Sequence, residues 1–236
     1  MKDKFFLCFI KLIGFCLSRL PYFFLEWVTE LLAWLLISNP NPRRRVILAN
    51  LAHAFPDWDY GKIKRVAHES IARMFEMGFF SLCYPFLPSN VLRRTLFYDL
   101  KTEKQLDDLR RSKKPVLFLL PHTCLFETLA TSPFFRPFGG KTLGAIYRPN
   151  KNKALDQWIT RSREALGLKV FSRKQGLIKA RNHLKNGNWL VVLYDQNAGL
   201  RGIGSTFLGR ICSISPLPDL LTKNKNVLCI HAVAKR

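Results

Sequence analysis

Acidic side chains are scarce in this sequence: 16 Asp and Glu stand against 38 Lys and Arg in 236 residues, a formal charge of +22. Beyond Glu127 only Asp156, Glu164, Asp195 and Asp219 remain, so the second half carries about two thirds of the net charge. Such a field attracts anionic lipid headgroups, an acidic carrier protein or nucleic acid. Nucleic acid is disfavoured, because the basic residues are dispersed and no nucleic-acid-binding motif or basic-aromatic platform accompanies them. Metal-type cysteine spacing is missing too. Cys8, Cys16, Cys83, Cys124, Cys212 and Cys229 include no CxxC pair and no metal-like Cys/His arrangement, which argues against a metal site. Their mostly apolar neighbours suit buried thiols in a reducing compartment. No internal repeat is present, and no apolar stretch runs uninterrupted to the ~18 residues of a clear spanning helix. A signal peptide is disfavoured, since no small-residue cleavage site follows the apolar N-terminus.

What the chain has in abundance is concentrated at its start. From Phe5 to Ile37 it consists mainly of Phe, Leu, Ile, Trp and Tyr, with Lys11, Arg19, Glu26 and Glu30 as its charges and Pro21 dividing it. Residues 1–40 read as a membrane anchor, either one imperfect span or two helices lying in the interface with Lys11 and Arg19 snorkelling. A pair of buried core helices is the alternative. Asn39-Pro40-Asn41-Pro42 ends the helix, because two X-Pro steps cannot continue it. Arg43-Arg44-Arg45 follows, which suits a cytoplasmic, phosphate-rich membrane face or, equally, a solvated helix start.

Residues 41–236 alternate between helix and strand patterns, and 48% hydrophobic content is enough for one main α/β domain. Periodicity predicts helices over 46–55 and 62–80, then over 103–112, 125–131, 154–166 and 176–185. Apolar runs predict strands over 116–120, 141–147, from 170, over 189–194 and over 227–234. This is the pattern of a mixed sheet with helices on its faces, where a ligand site lies off the strand ends.

At one such end stands His122, directly after Val116-Leu117-Phe118-Leu119-Leu120-Pro121, with Glu127 five positions on. None of His53, His68, His183 or His231 has an acid at that spacing. On an ideal helix residues five apart point about 140° from each other, so His122 belongs before the helix and Glu127 in its first turns. A carboxylate folded back to receive the imidazole N–H fixes one tautomer, and the other ring nitrogen can then take a proton from an alcohol. The competing reading is a histidine satisfied by backbone and a glutamate placed to suit the helix dipole.

Several ordered motifs extend this pair: Pro121-His122-Thr123-Cys124-Leu125-Phe126-Glu127, Tyr147-Arg148-Pro149-Asn150, Ser172-Arg173-Lys174, Tyr194-Asp195-Gln196-Asn197 and Phe207-Leu208-Gly209. Together with Asn50-Leu51-Ala52-His53-Ala54-Phe55-Pro56 they resemble the lysophospholipid acyltransferase superfamily, and within it the bacterial lipid A secondary acyltransferases. Glu127 in place of the Asp usual in glycerolipid acyltransferases, and the lack of an EGTR-like block, favour the lipid A branch. The resemblance implies a glycerol-3-phosphate acyltransferase-like fold and transfer of a fatty acyl group from acyl carrier protein to a hydroxyl of an anionic lipid A precursor. It also implies a protein of the bacterial inner membrane, at its cytoplasmic face. No cofactor is implied, acyl carrier protein thioester being the co-substrate. His122 would be the general base and Glu127 its partner.

Arg148 would clamp a headgroup phosphate or stabilise the oxyanion, a turn salt bridge being the alternative. Arg173 and Lys174 would contact phosphate, and Asp195, acidic in a very basic half, would hold an arginine or lysine in place. Cys124 reads as a packing thiol, with no second base beside it. Members of this family usually continue beyond a strand equivalent to 227–234. The resemblance therefore admits either a short member or a truncated product.

Overall fold

The computed structural model describes residues 2–94, 97–112, 114–123, 128–129, 139–173, 176–223 and 226–233. The described helices are α1 (Lys2–Ser18), α2 (Tyr22–Ser38), α3 (Pro42–Ala54), α4 (Tyr60–Cys83), α5 (Ser89–Arg93), α6 (Leu100–Ser112), α7 (Lys153–Ala165), α8 (Leu177–Lys185) and α9 (Leu217–Thr222). The strands are β1 (Val116–Leu120), β2 (Leu143–Tyr147), β3 (Leu168–Ser172), β4 (Trp189–Leu193), β5 (Ile203–Phe207), β6 (Arg210–Ile214) and β7 (Leu228–His231). The chain divides into two compact units, one of Met1–Phe9, Leu87–Gly204 and Ser213–Arg236, the other of Ile10–Phe86 and Ser205–Cys212.

The first unit is built on a five-stranded sheet of order β3-β2-β4-β1-β7, in which every pairing is parallel. The expectation of a mixed sheet is corrected here: β5 and β6, joined by only two residues and therefore antiparallel, form a separate ribbon. Successive side chains alternate between faces, so Val116, Phe118 and Leu120 of β1 pack with Leu106 and Trp189, while Leu117 packs with Ala180, Leu184, Leu190 and Leu221. Burial on both faces is why β1 and β4 are uniformly apolar.

One close approach fixes β2 against this core. A Cβ on Gly144 would lie 2.8 Å from Phe171 Cε2 and 2.9 Å from His183 Nε2. Neither ring can yield easily, because both are buried and the His183 Nε2–H donates to the Trp189 carbonyl over 3.1 Å. Burial also holds the His183 pKa below the ordinary imidazole value, so the ring is neutral in the folded protein at neutral pH. Gly144→Ala is therefore expected to destabilise the first unit by about 1–3 kcal/mol. A lowered chemical-denaturation midpoint would register this, and an unchanged one would mean that the rings shift at little cost.

The second unit centres on α2, α3 and α4. Thr29, Ala33 and Ile37, spaced four apart, give α2 one buried face, and Ala33 and Ile37 pack with Ala67, Ile71 and Ala72 of α4. Gly14 of α1 lies so close to α4 that an added Cβ would fall 2.4 Å from the Leu82 carbonyl oxygen. The two charges of α2 are taken up within the unit: Arg73 donates to Glu30 over 2.9 Å and lies 3.9 Å from Glu26, and His68 lies 3.4 Å from Glu30, while Arg73 also donates to Glu76 of α4 over 2.7 Å. Tyr22 donates to Glu76, and burial together with that carboxylate pushes its phenol pKa well above the usual range.

With Glu26 and Glu30 turned toward α4, Phe23, Trp27, Leu31 and Trp34 lie exposed on a single face of α2, and Phe5, Phe9 and Leu12 lie exposed on α1. Helix α2 thus has one face in the core of its unit and an apolar face outside it. Among the described residues no helix is long and apolar enough to cross a membrane, and α1 and α2 are separate helices of 17 residues each, so residues 1–40 do not form the single span that was one of the two expectations.

The Asn39-Pro40-Asn41-Pro42 break lies where the sequence places it. Asn41 caps α3 by accepting the Arg44 backbone N–H over 2.8 Å, with Pro42 as the first helical residue. Helix α3 thus begins four residues before the predicted 46, and Arg43, Arg44 and Arg45 occupy its first turn.

Candidate active site

Because the five strands are parallel, their C-terminal ends share one edge of the sheet, and the chemistry-bearing residues leave from that edge. Leu120 of β1 is level with Leu193 of β4, and the Tyr194 N–H continues the pairing by donating to the Leu120 carbonyl over 3.3 Å. One step further, each chain leaves the sheet, β1 into Pro121-His122 and β4 into Tyr194-Asp195. The register therefore sets His122 beside Asp195.

Asp195 holds His122 at two points. Its Oδ2 accepts the His122 backbone N–H over 2.7 Å, and its Oδ1 lies 2.5 Å from Nδ1 of the ring. A carboxylate is acceptor-only when ionised, so this contact places the imidazole proton on Nδ1 and makes Nε2 the basic nitrogen. The backbone contact fixes the peptide from which the ring projects. Both side chains remain about a third exposed or less, at 27% and 32%, and can be reached from solvent. Here the structure departs from the sequence expectation of an arginine or lysine partner for Asp195, since among the described residues it makes no such ion pair.

Arg148 and Arg173 follow β2 and β3 at the same edge. Tyr147 is level with Ser172, and the Arg173 N–H donates to the Tyr147 carbonyl over 2.8 Å, which brings the two arginine backbones alongside each other. Both side chains are exposed and form no ion pair with a described residue. The turn after β2 is organised instead by Asp156, whose Oδ1 accepts the Asn150 N–H over 2.7 Å and whose Oδ2 accepts the Tyr147 hydroxyl over 3.3 Å. Strand β4 lies between β2 and β1, so at ordinary strand spacing the Arg148 backbone sits about 10 Å from that of His122. An arginine can span much of that distance toward a bound anion.

Of the six residues singled out from sequence, His122, Arg148, Arg173 and Asp195 thus emerge along one edge, while Glu127 and Lys174, like Cys124, lie outside the described residues. A further pair at this edge carries no local signal, its members being 37 positions apart: the Tyr194 hydroxyl lies 2.5 Å from His231 Nε2, their rings edge to face. These side chains cross over β1 on the face opposite Leu120, tying the end of β4 to the end of β7.

Residues 3–235 match the family model described as bacterial lipid A biosynthesis acyltransferase, which is nearly the whole chain. No curated protein matches the chain.

Proposed function

The chain belongs to the bacterial lipid A biosynthesis acyltransferase family, and from that premise we propose that it moves a fatty acyl group from acyl carrier protein to a hydroxyl of a lipid A precursor, with His122 as general base. The observation that carries this reading is the two-point hold of Asp195 on His122, because it leaves Nε2 as the ring's basic nitrogen at a solvent-reachable strand end. An alcohol has a pKa far above 7 and attacks a thioester slowly unless its proton is taken as the new bond forms. Nε2 takes that proton while the hydroxyl oxygen bonds to the thioester carbon. The tetrahedral intermediate then collapses with cleavage of the C–S bond, and the imidazolium returns the proton to the departing sulfur. Asp195 steadies the imidazolium while it exists.

The remaining features fit the same reaction. Arg148 and Arg173 present guanidinium groups that suit a phosphate of the acceptor headgroup or the developing oxyanion. Lys174 stands next in the chain and adds a further cation. Acyl carrier protein is acidic and the acceptor is phosphorylated, so both meet a chain of charge +22 favourably. Helices α1 and α2 lie in the plane of the cytoplasmic leaflet of the inner membrane, with Phe23, Trp27 and Trp34 toward the acyl region and Lys11 and Arg19 at headgroup level.

The test is an assay of membranes carrying this protein with acyl carrier protein thioesters and either a tetraacylated lipid A precursor or a lysophospholipid. The expected product is the lipid A precursor heavier by one acyl chain. Transfer to the lysophospholipid alone would reassign the acceptor, and transfer to neither would remove the catalytic reading.

A further inference from the structure

The ribbon β5–β6 carries large apolar side chains that water does not favour. Ile211 is 91% exposed and Phe207 68%, with Leu208, Ile203 and Ile214 also exposed and Leu200, just before the ribbon, fully so. Among the described residues the two strands pair only with each other. Leu208 and Gly209 at the tip both have positive φ, 50° and 73°. That geometry normally takes Asn, Asp or Gly, and a leucine there is strained relative to glycine. An apolar residue is thus kept at the tip against its own backbone preference.

Charge accompanies the apolar surface. Arg201 and Arg210 flank it, and no Asp or Glu occurs between Asp195 and Asp219. Apolar side chains at a tip with arginines beside them match the layering of an anionic bilayer, acyl region beneath and phosphates above. The outer part of the ribbon, Ser205–Cys212, also groups in the same compact unit as the exposed α2 helix. Its base is tied to the loop that follows Asp195. Ser213 Oγ donates to the Gly199 carbonyl over 2.6 Å, the Ala198 N–H donates to the Ser213 carbonyl over 3.0 Å, and a Cβ on Gly202 would fall 2.0 Å from Ser213 Oγ.

We infer that β5–β6 is a second lipid-docking element, which inserts Phe207, Leu208 and Ile211 into the surface of an anionic membrane. The inference rests on the acceptor being a membrane lipid, which gives the protein reason to hold its Asp195 loop against a bilayer. Hydrogen exchange of the full chain, with and without vesicles of phosphatidylethanolamine and phosphatidylglycerol, tests it. Exchange over residues 200–214 is expected to slow when vesicles are added, and F207S/I211S is expected to weaken vesicle partitioning at least tenfold. The substituted side chains are exposed, so the variant keeps its fold, and Leu100→Ser, at another exposed position, is expected to partition like the unsubstituted protein.

Vesicle-dependent slowing confined to α1 and α2 would overturn the inference. So would slow exchange over 200–214 before any vesicle is added, since the ribbon would then be covered by protein, whether a second copy or a further stretch of chain. These vesicles contain neither thioester nor lipid A precursor. A failure here is therefore separable from a failure of the acyl-transfer reading.

Discussion

Replacing His122 by alanine is expected to lower acyl transfer on the order of 10^2 to 10^4-fold while leaving the fold and membrane partitioning unchanged. The size of the loss follows from what imidazole supplies. Without a positioned base the attacking hydroxyl must shed its proton to water, and the thioester bond must be reached by a neutral alcohol. The fold should survive because the ring is partly exposed and the bonds described for it run to Asp195, itself a loop residue. Peptide geometry is also retained, since the backbone N–H that Asp195 accepts is still present in alanine. The measurement is initial rate with acyl carrier protein thioester at saturating acceptor, beside a denaturation midpoint. A rate within tenfold of the unsubstituted protein would remove His122 as base.

How far this site could be read in advance depends on which distances the sequence encodes. Strands β1 and β4 were legible because parallel strands buried on both faces are apolar throughout, and an apolar run followed by Pro121-His122 marks where one of them ends. The pairing of those strands was not legible. His122 and Asp195 are 73 positions apart, and nothing in either segment states that β4 lies next to β1 in a register that levels Leu120 with Leu193. Local spacing drew attention to Glu127 instead, since five residues can be counted and a strand order cannot.

The N-terminal helices illustrate the same limit. Their apolar content was evident, but the disposition of Glu26 and Glu30 depended on Arg73 and His68, residues of a helix more than thirty positions away. Once those charges are accounted for within the unit, what had looked like interruptions of a membrane span become the inner side of a helix with one greasy outer face. The start of α3 was placed late for a different reason. Three arginines in a first helical turn oppose the helix dipole, so composition argued against a helix there, while Asn41 and Pro42 had the cap and first-position chemistry to begin one.

Asp195→Asn is expected to be more damaging than losing the side chain altogether, on the order of 10^3 to 10^4-fold in rate, for a reason specific to its two contacts. The carboxylate accepts at both oxygens, one from the His122 backbone N–H and one from Nδ1–H. An asparagine offers one acceptor and one donor. The backbone N–H can only donate, so it claims the amide oxygen, and the amide NH2 is left facing Nδ1. Nδ1 must then accept, which moves the ring proton to Nε2 and removes the lone pair that catalysis needs. Asp195→Ala loses both bonds but imposes no tautomer, so it is expected to retain more activity than the nearly isosteric asparagine. Ring-nitrogen chemical shifts of His122 would report the tautomer directly in the two variants. Glu127→Gln supplies the comparison: if Glu127 rather than Asp195 receives the imidazole N–H, the glutamine variant collapses while Asp195→Asn stays within tenfold of the unsubstituted protein. An ordering of Asn below Ala at position 195 would instead assign the orienting role to the aspartate that the strand register delivers.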